Sequence, residues 1–171
     1  MRGFLSEENI EMHKEYARRL ALRYSILEKS IEGIKGKRMA QILSTRHSRD
    51  ETRDILSILP ELELHEIYFS SFREEKHTSS HRARDIFGSE GALLNELFRL
   101  GMTLEYGFVT VVRRGMRIEN FALNDYAAAF TLGIPILAID VCEHAYFYDY
   151  RFDKRAYLVS ALSFLDLSKL D

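Results

Sequence analysis

The chain has 171 residues, a formal net charge of −2 and 46% hydrophobic residues, a composition typical of one globular domain or two small ones with a real core. A net charge near zero indicates no basic surface for nucleic acid. No apolar run approaches the ~20 residues of a membrane span. We therefore expect the protein to bind neither nucleic acid nor a membrane. Residues 1–8 contain no apolar signal segment, and the single Cys142 cannot form an internal disulfide. We therefore expect a cytoplasmic protein.

A long helix is predicted over residues 5–34. Ser6 is its expected N-cap, and Gly33 and Gly36 suggest where it ends. Its apolar residues recur at alternating spacings of three and four, which is typical of a packed helical face. That face includes one histidine and consists of Ile10, His13, Ala17, Leu20, Tyr24, Leu27, Ile31 and Ile34.

The next segment, residues 37–59, has helical patterns at both ends and a polar stretch over residues 44–54, which predicts a loop. Pro60 then suits the first turn of a new helix, where its missing N–H is harmless. In that helix Leu62, His65, Phe69 and Phe72 repeat at three, four and three, so His65 also lies on an apolar face. Residues 74–84 are polar and predict a loop.

That second loop is the expected domain boundary, which gives a helical domain over residues 1–78 and an α+β domain over residues 79–171. A helix is predicted over residues 89–104. Strands are predicted over residues 107–113 and 116–123, joined as a hairpin, and over residues 134–140, and Asp153 is the expected cap of a last helix. The predicted fold is α+β, with a long N-terminal helical hairpin followed by a small three-stranded antiparallel sheet flanked by helices.

Asp140 and His144 stand at the end of a strand that is predicted to be buried. Buried charges are costly unless they are paired or bind a metal. Taken singly, His13 and His65 are more often hydrogen-bonded core residues than ligands. If the two helices pack against each other, however, the set offers three imidazoles and one carboxylate, which suits iron, manganese or zinc. The spacing alone does not choose among these metals.

The run Asp140-Val141-Cys142-Glu143-His144-Ala145-Tyr146 closely resembles the D-V-W-E-H-A-Y signature of the iron/manganese superoxide dismutases. Weaker similarities follow in the family's order, at residues 5–13, 64–69, 87–89, 104–108 and 123–125. The resemblance implies that His13, His65, Asp140 and His144 bind one iron or manganese ion per chain. It also implies an oxidoreductase that converts superoxide to dioxygen and hydrogen peroxide by one-electron cycling, a chemistry that zinc does not support.

Several residues depart from the family pattern around these ligands. Ala17 and Ala21 stand where the family has a His and a Tyr that line the substrate channel. Tyr16 or Tyr24 could take the place of that Tyr in space, although neither has the family's spacing.

Three further residues are candidates for contact with the ligands or the metal's surroundings. Glu61 and Asp125 occupy the two positions from which the family supplies a Gln beside the metal. Cys142 replaces a Trp, and the chain contains no Trp at all; Phe69 and Phe108 stand at other Trp positions. Cys142 is either an inert small core residue, a redox-sensitive thiol or an extra ligand.

Glu143 keeps the position from which the family reaches across a dimer interface to the partner's ligand histidine, which implies a homodimer. The simpler interpretation is an acidic residue at the start of a helix. Three hypotheses for function remain at this point. The chain is a superoxide dismutase, a metalloprotein of the same fold with a different or lost activity on another small molecule, or an interaction module with a vestigial site.

Overall fold

The computed structural model describes residues 1, 3–45, 47–75 and 79–171. The fold is α+β, with an N-terminal helical region and a three-stranded antiparallel sheet flanked by helices, as the sequence predicts. The expected boundary after residue 78 adjoins residues 76–78, which lie outside the described residues. The division into two domains therefore stays a prediction.

The N-terminal region begins with a long helix, α1, over Glu7–Ser30. Its cap is Ser6, as predicted, because the Ser6 side chain accepts a hydrogen bond from the backbone N–H of Asn9. The helix ends at Ser30, earlier than the predicted end at residue 34, because Ile31 adopts an extended backbone.

Two short helices follow, α2 over Met39–Ile42 and α3 over Arg49–Leu56. The prediction of a loop over residues 44–54 is thus wrong for its second half. Ser48 and Glu51 form a reciprocal capping box, which starts a helix within a polar stretch that shows no apolar stripe. The fourth helix, α4, covers Leu59–Ser70 with a Pro in its first turn, as predicted.

A fifth helix, α5, covers His81–Phe87, where the sequence predicts a loop up to residue 84. The Ser80 side chain caps it by accepting from the backbone N–H of Ala83, and Ala83 is the buried residue of the helix. A helix held by one cap and one small buried side chain leaves a weak sequence signal. The predicted helix at residues 89–104 is α6, over Glu90–Thr103.

The sheet consists of β1 (Phe108–Arg114), β2 (Arg117–Leu123) and β3 (Ile134–Asp140), in the order β2-β1-β3. Both pairings are antiparallel, and the first residue of β1, Phe108, lies opposite Leu123 on one side and Asp140 on the other. This register places Asp140 at the end of the sheet. All three strands match the predicted ones to within a residue.

Three more α-helices complete the C-terminal half: α7 over Ala128–Leu132, α8 over Glu143–Tyr150 and α9 over Lys154–Leu162. Asp153 caps α9 through the backbone N–H of Ala156, as predicted. The sequence did not single out α7, and it indicated α8 only through the acidic residue at its start. A short 3-10 helix over Leu167–Leu170 ends the chain.

Among the described residues, the core consists of two apolar clusters. The larger one joins Phe4, Leu5 and Ile10 to α4, the sheet and α9, and the smaller one lies between the C-terminal half of α1, α2, α3 and the start of α4. Helix α1 therefore contacts both clusters. Within the part of the chain that the structure describes, no helix has the length and apolarity needed to cross a membrane.

Candidate metal centre

Four side chains meet where α1, α4, α8 and the end of β3 come together. His13, His65, Asp140 and His144 each offer one ligand atom, and these atoms lie within 4.8 Å of one another. The Nε2 atoms of His144, His13 and His65 lie 2.9, 3.1 and 3.4 Å from Oδ2 of Asp140. The first helix and the fourth thus bring their histidines together, with ring centroids 5.1 Å apart and ring planes nearly perpendicular.

Asp140 is oriented by contacts to its other atoms. Its Oδ1 accepts a hydrogen bond of 2.8 Å from the backbone N–H of Cys142, and its main-chain carbonyl accepts one of 2.8 Å from the hydroxyl of Tyr157. Because one oxygen and the carbonyl are held in this way, Oδ2 is left to face the three histidines.

His65 is oriented in the same manner. Its Nδ1 lies 2.8 Å from the main-chain carbonyl of Glu61, one turn earlier on α4. A carbonyl can only accept, so Nδ1 carries the proton and Nε2 keeps its lone pair. This is the tautomer that a metal-binding histidine requires at Nε2.

The electrostatics of the cluster also favour a bound cation. Burial lowers the pKa of His13, and this effect outweighs its contact with Asp140. Burial alone would raise the pKa of Asp140, but hydrogen bonds from His13, His144 and His65 hold it well below its usual range. Burial opposes protonation of His65 as well, yet Asp140 raises its pKa overall. A fully buried carboxylate is thus kept ionised, and it requires nearby positive charge.

The residues fit a transition metal. At metal–nitrogen and metal–oxygen bonds of about 2.1 Å, neighbouring ligand atoms of a four- or five-coordinate site lie about 3.0 to 3.5 Å apart. The three contacts to Oδ2 and the 3.3 Å between Nε2 of His65 and Nε2 of His144 are close to this spacing. Three imidazoles and one carboxylate form a donor set suited to iron, manganese or zinc.

Aromatic rings surround the histidines in a chain that has no Trp. The ring of Phe69 lies 5.0 Å from His13, and that of Phe108 lies 5.3 Å from His65, measured between centroids. These two side chains form an apolar wall on one side of the cluster.

Tyr16 occupies the outer side of the cluster. Its ring stacks on that of His144 at 4.2 Å and 22°, and its hydroxyl donates a 2.7 Å hydrogen bond to Oε1 of Glu61. Burial and the contact with Glu61 raise the pKa of Tyr16, so the phenol keeps its proton at neutral pH. Of the two tyrosines that the sequence offered, Tyr16 is the one that contacts a ligand; Tyr24 packs in the second apolar cluster.

A groove of about 640 Å³ between α1 and α8 leads to this side of the cluster. The side chain of His144 is 30% exposed there, whereas those of His13, His65 and Asp140 are fully buried. The groove is lined by Glu8, Glu11, Met12, Glu15, Tyr16, Arg19, His144 and Tyr148. The groove leaves the side chain of His144 partly open to solvent.

Cys142 is the N-cap residue of α8 and lies beside the cluster. Its Sγ accepts a hydrogen bond of 3.2 Å from the backbone N–H of Gly107 and lies 3.9 Å from the hydroxyl of Tyr126. Burial and the nearby Asp140 raise the pKa of the thiol. The inert, redox-sensitive and ligand alternatives for Cys142 stay predictions.

The other candidates lie further out. Asp125 is exposed, and its Oδ1 accepts from the backbone N–H of Ala127, so its carboxylate belongs to the turn before α7. Glu143 is the exposed first residue of α8. A role for Asp125 beside the metal and one for Glu143 at a dimer interface stay predictions.

Sequence reasoning missed three residues that support the cluster, namely Asn9, Tyr126 and Tyr157. Asn9 is a fully buried polar residue one turn before His13 on the same face of α1. That position on an apolar helical face is the signal that could have identified it. Tyr126 and Tyr157 reach the cluster only through the packing of distant segments, which leaves no local pattern.

Comparison with known proteins agrees with this geometry. Residues 66–171, more than half of the chain, match the family profile described as iron/manganese superoxide dismutases, C-terminal domain. The match includes Asp140 and His144 and begins one residue after His65. No curated protein matches the chain significantly. On the extent of the profile match, the chain belongs to the iron/manganese superoxide dismutase family.

Proposed function

We propose that this protein is an iron- or manganese-dependent superoxide dismutase, with one metal ion per chain held by His13, His65, Asp140 and His144. The observation that supports it most is the approach of three histidine Nε2 atoms to one buried oxygen of Asp140. When bound, iron or manganese supplies one-electron redox chemistry, which turns superoxide into dioxygen and hydrogen peroxide.

The chain's own residues would hold the ligands, control access and keep a proton nearby. Cys142 N–H and the Glu61 carbonyl fix Asp140 and His65. Superoxide would approach His144 along the groove between α1 and α8, whose wall carries Arg19 in an ion pair with Glu15. The hydroxyl of Tyr16, held against Glu61, is a protonated group beside the most exposed ligand.

The same proposal includes a homodimer and a cytoplasmic location. Glu143 stands exposed at the start of α8, next to His144, where it is free to meet a partner chain. The single cysteine of the chain is compatible with a reducing compartment.

A second candidate is a metalloprotein of the same fold with a different or lost activity. The specific observation in its favour is the Glu61–Tyr16 pair. Glu61 presents a carboxylate where the family's Gln presents an amide, so a donor has become an acceptor. This change would alter the charge and the hydrogen bonding that a substrate or a solvent molecule meets at the metal.

The deciding experiment measures metal content and superoxide removal on the same sample of untagged protein, loaded separately with iron and with manganese. We expect one metal ion per chain and a rate well above that of the free ion. His144→Ala should lose both metal and activity. The exposed His81, whose side chain contacts Arg84, supplies the matched control His81→Ala, which should keep both.

The possible results separate the two candidates. One ion per chain without activity above the free ion would overturn the dismutase and support the second candidate. If the unsubstituted protein binds neither metal, both candidate functions are overturned. The same holds if His144→Ala binds the metal as well as the unsubstituted protein does.

A further inference from the structure

Asn9 connects the two helices that carry His13 and His144. Its side chain is fully buried in α1, and its Nδ2 donates a 2.6 Å hydrogen bond to the main-chain carbonyl of Ala145. Ala145 directly follows His144 in α8. The amide therefore ties α1 to α8 at the point where each helix presents a proposed ligand.

The other half of the same amide has no such contact. Oδ1 of Asn9 is buried without a hydrogen-bond partner among the described residues, and so is Nδ1 of His13. Buried polar atoms are almost always paired, because an unpaired one loses its hydration without compensation. Oδ1 of Asn9 and Nδ1 of His13 thus both lack a hydrogen-bond partner within the described residues, and they lie on the same face of one helix.

The geometry of an α-helix brings these two atoms toward each other. Side chains lean toward the N-terminus of their helix, so the ring of a histidine covers the turn four residues earlier. His65 shows this reach, because its Nδ1 meets the carbonyl of Glu61. For His13 the residue four positions earlier is Asn9.

The remaining buried acceptors without a partner in the described part of the chain are less suitable. Oδ2 of Asp140 lies 3.1 Å from Nε2 of His13, the other ring nitrogen, and faces the centre of the cluster. Tyr24 lies three turns further along α1, whereas the ring of His13 leans toward the start of the helix. Thr110 and Asn120 belong to the sheet. A histidine that binds metal through Nε2 carries its proton on Nδ1 and almost always donates it to an oxygen.

We propose that Asn9 is a positioning residue for the metal centre: its Oδ1 receives the Nδ1–H of His13 through one bridging water, while its NH₂ group holds α8 at Ala145. This inference rests on the proposed metal site. The amide of Asn9 would determine which ring nitrogen of His13 carries the proton, and it would also set the distance between His13 and His144.

The test uses zinc as a diamagnetic probe that accepts the same donor set. The full chain is labelled with ¹⁵N-histidine, and two quantities are measured: the exchange rate of the His13 Nδ1 proton by NMR and the zinc dissociation constant by chelator competition. Asn9→Ala removes both hydrogen bonds, and Asn9→Asp keeps an acceptor for His13. Tyr150→Phe is the control, because it removes another tie of α8, from Tyr150 to the carbonyl of Phe4.

We expect Asn9→Ala to weaken zinc binding by about 10- to 100-fold, the usual effect of losing a partner behind a ligand histidine, and to speed exchange of the His13 proton. Asn9→Asp should keep the proton in slow exchange, and Tyr150→Phe should change neither quantity.

Unchanged affinity and exchange in Asn9→Ala would overturn the role of Asn9 alone. Should that variant not fold, fast exchange of the His13 proton in Asn9→Asp would do the same. Failure of the unsubstituted protein to bind zinc would instead overturn the metal centre itself.

Discussion

Two residues of the cluster, Asp140 and His65, share one arrangement: one atom is engaged by the protein and another faces the centre. In Asp140 the engaged atom is Oδ1, held by Cys142 N–H, and in His65 it is Nδ1, held by the Glu61 carbonyl. Fixing one atom of each of these two ligands removes rotational freedom before any metal binds. A site built in this way loses less conformational entropy on binding.

At this scale the sharpest prediction concerns the hydroxyl of Tyr16. Tyr16→Phe keeps the ring stacked on His144 but removes the hydrogen bond to Glu61. We expect metal content to be unchanged and superoxide removal to fall by about 100-fold or more, because a positioned proton donor contributes about 10²–10⁴-fold to a rate. Steady-state rates and metal analysis on the same samples measure this.

Tyr148→Phe is the matched control, because Tyr148 lines the same groove. It should retain the parent rate. Equal rates for Tyr16→Phe and the parent would remove the Tyr16–Glu61 pair from the proposed chemistry.

Among the elements, the connection between the sheet and α8 determines where two of the four ligands lie. Gly107 is central to it, since its carbonyl accepts from the N–H of Val141 and its N–H donates to Sγ of Cys142. Gly107 has a φ of 118°, and an added Cβ would lie 2.2 Å from the main-chain carbonyl oxygen of Leu123. Only glycine fits at this position.

We therefore expect Gly107→Ala to lower the free energy of unfolding by at least about 2 kcal/mol, from backbone strain and the clash together. Gly115→Ala is the control, because Gly115 also has a positive φ, of 61°, but an added Cβ there would meet open space. The control should lose only about 1 kcal/mol. Denaturant unfolding of the two variants measures the difference, and equal losses would contradict the role of the clash.

On the scale of the whole molecule, the cluster joins segments that are far apart in the chain. The ligand set takes one residue each from α1, α4, β3 and α8, and α1 also contacts both apolar clusters. A metal held there would connect the helical region to the sheet. Its binding free energy would therefore add to the stability of the entire fold.

Metal removal should then destabilise the protein globally. At free metal of 100 times the dissociation constant, the expected gain in unfolding free energy is about 2.7 kcal/mol. Calorimetry with and without a chelator should show one transition that moves to lower temperature on metal removal. In His144→Ala the chelator should have no effect, and a chelator-dependent shift in that variant would place the stabilising ion elsewhere.

The proposed dimer belongs to the same scale. Glu143→Ala should weaken self-association by about tenfold or more, as is usual when a charged group at the centre of an interface is lost. Sedimentation velocity over a concentration series measures this. Glu32→Ala, at another exposed glutamate, should leave the dimer intact, and a monomeric parent protein would contradict the proposal.

The sequence by itself determined the features that arise from local interactions. The long helix with its Ser6 cap, the Pro in the first turn of α4, the three strands and the Asp153 cap follow from periodicity, turn residues and capping chemistry. The resemblance at residues 140–146 indicated the family that the profile match then showed. Local signals failed at α3 and α5, because Ser48 and Ser80 start helices inside polar stretches without an apolar stripe.

Only the tertiary structure decided how the side chains meet. It placed Tyr16 against His144 and Glu61, kept Asp125 in a surface turn, and set Asn9 between two of the ligand-bearing helices. These contacts join residues that are distant along the chain, and they depend on the angles and distances at which whole elements pack. The sequence shows which side chains are present but not how far apart they lie. Their separation in space is set by the packing of the elements around the shared core.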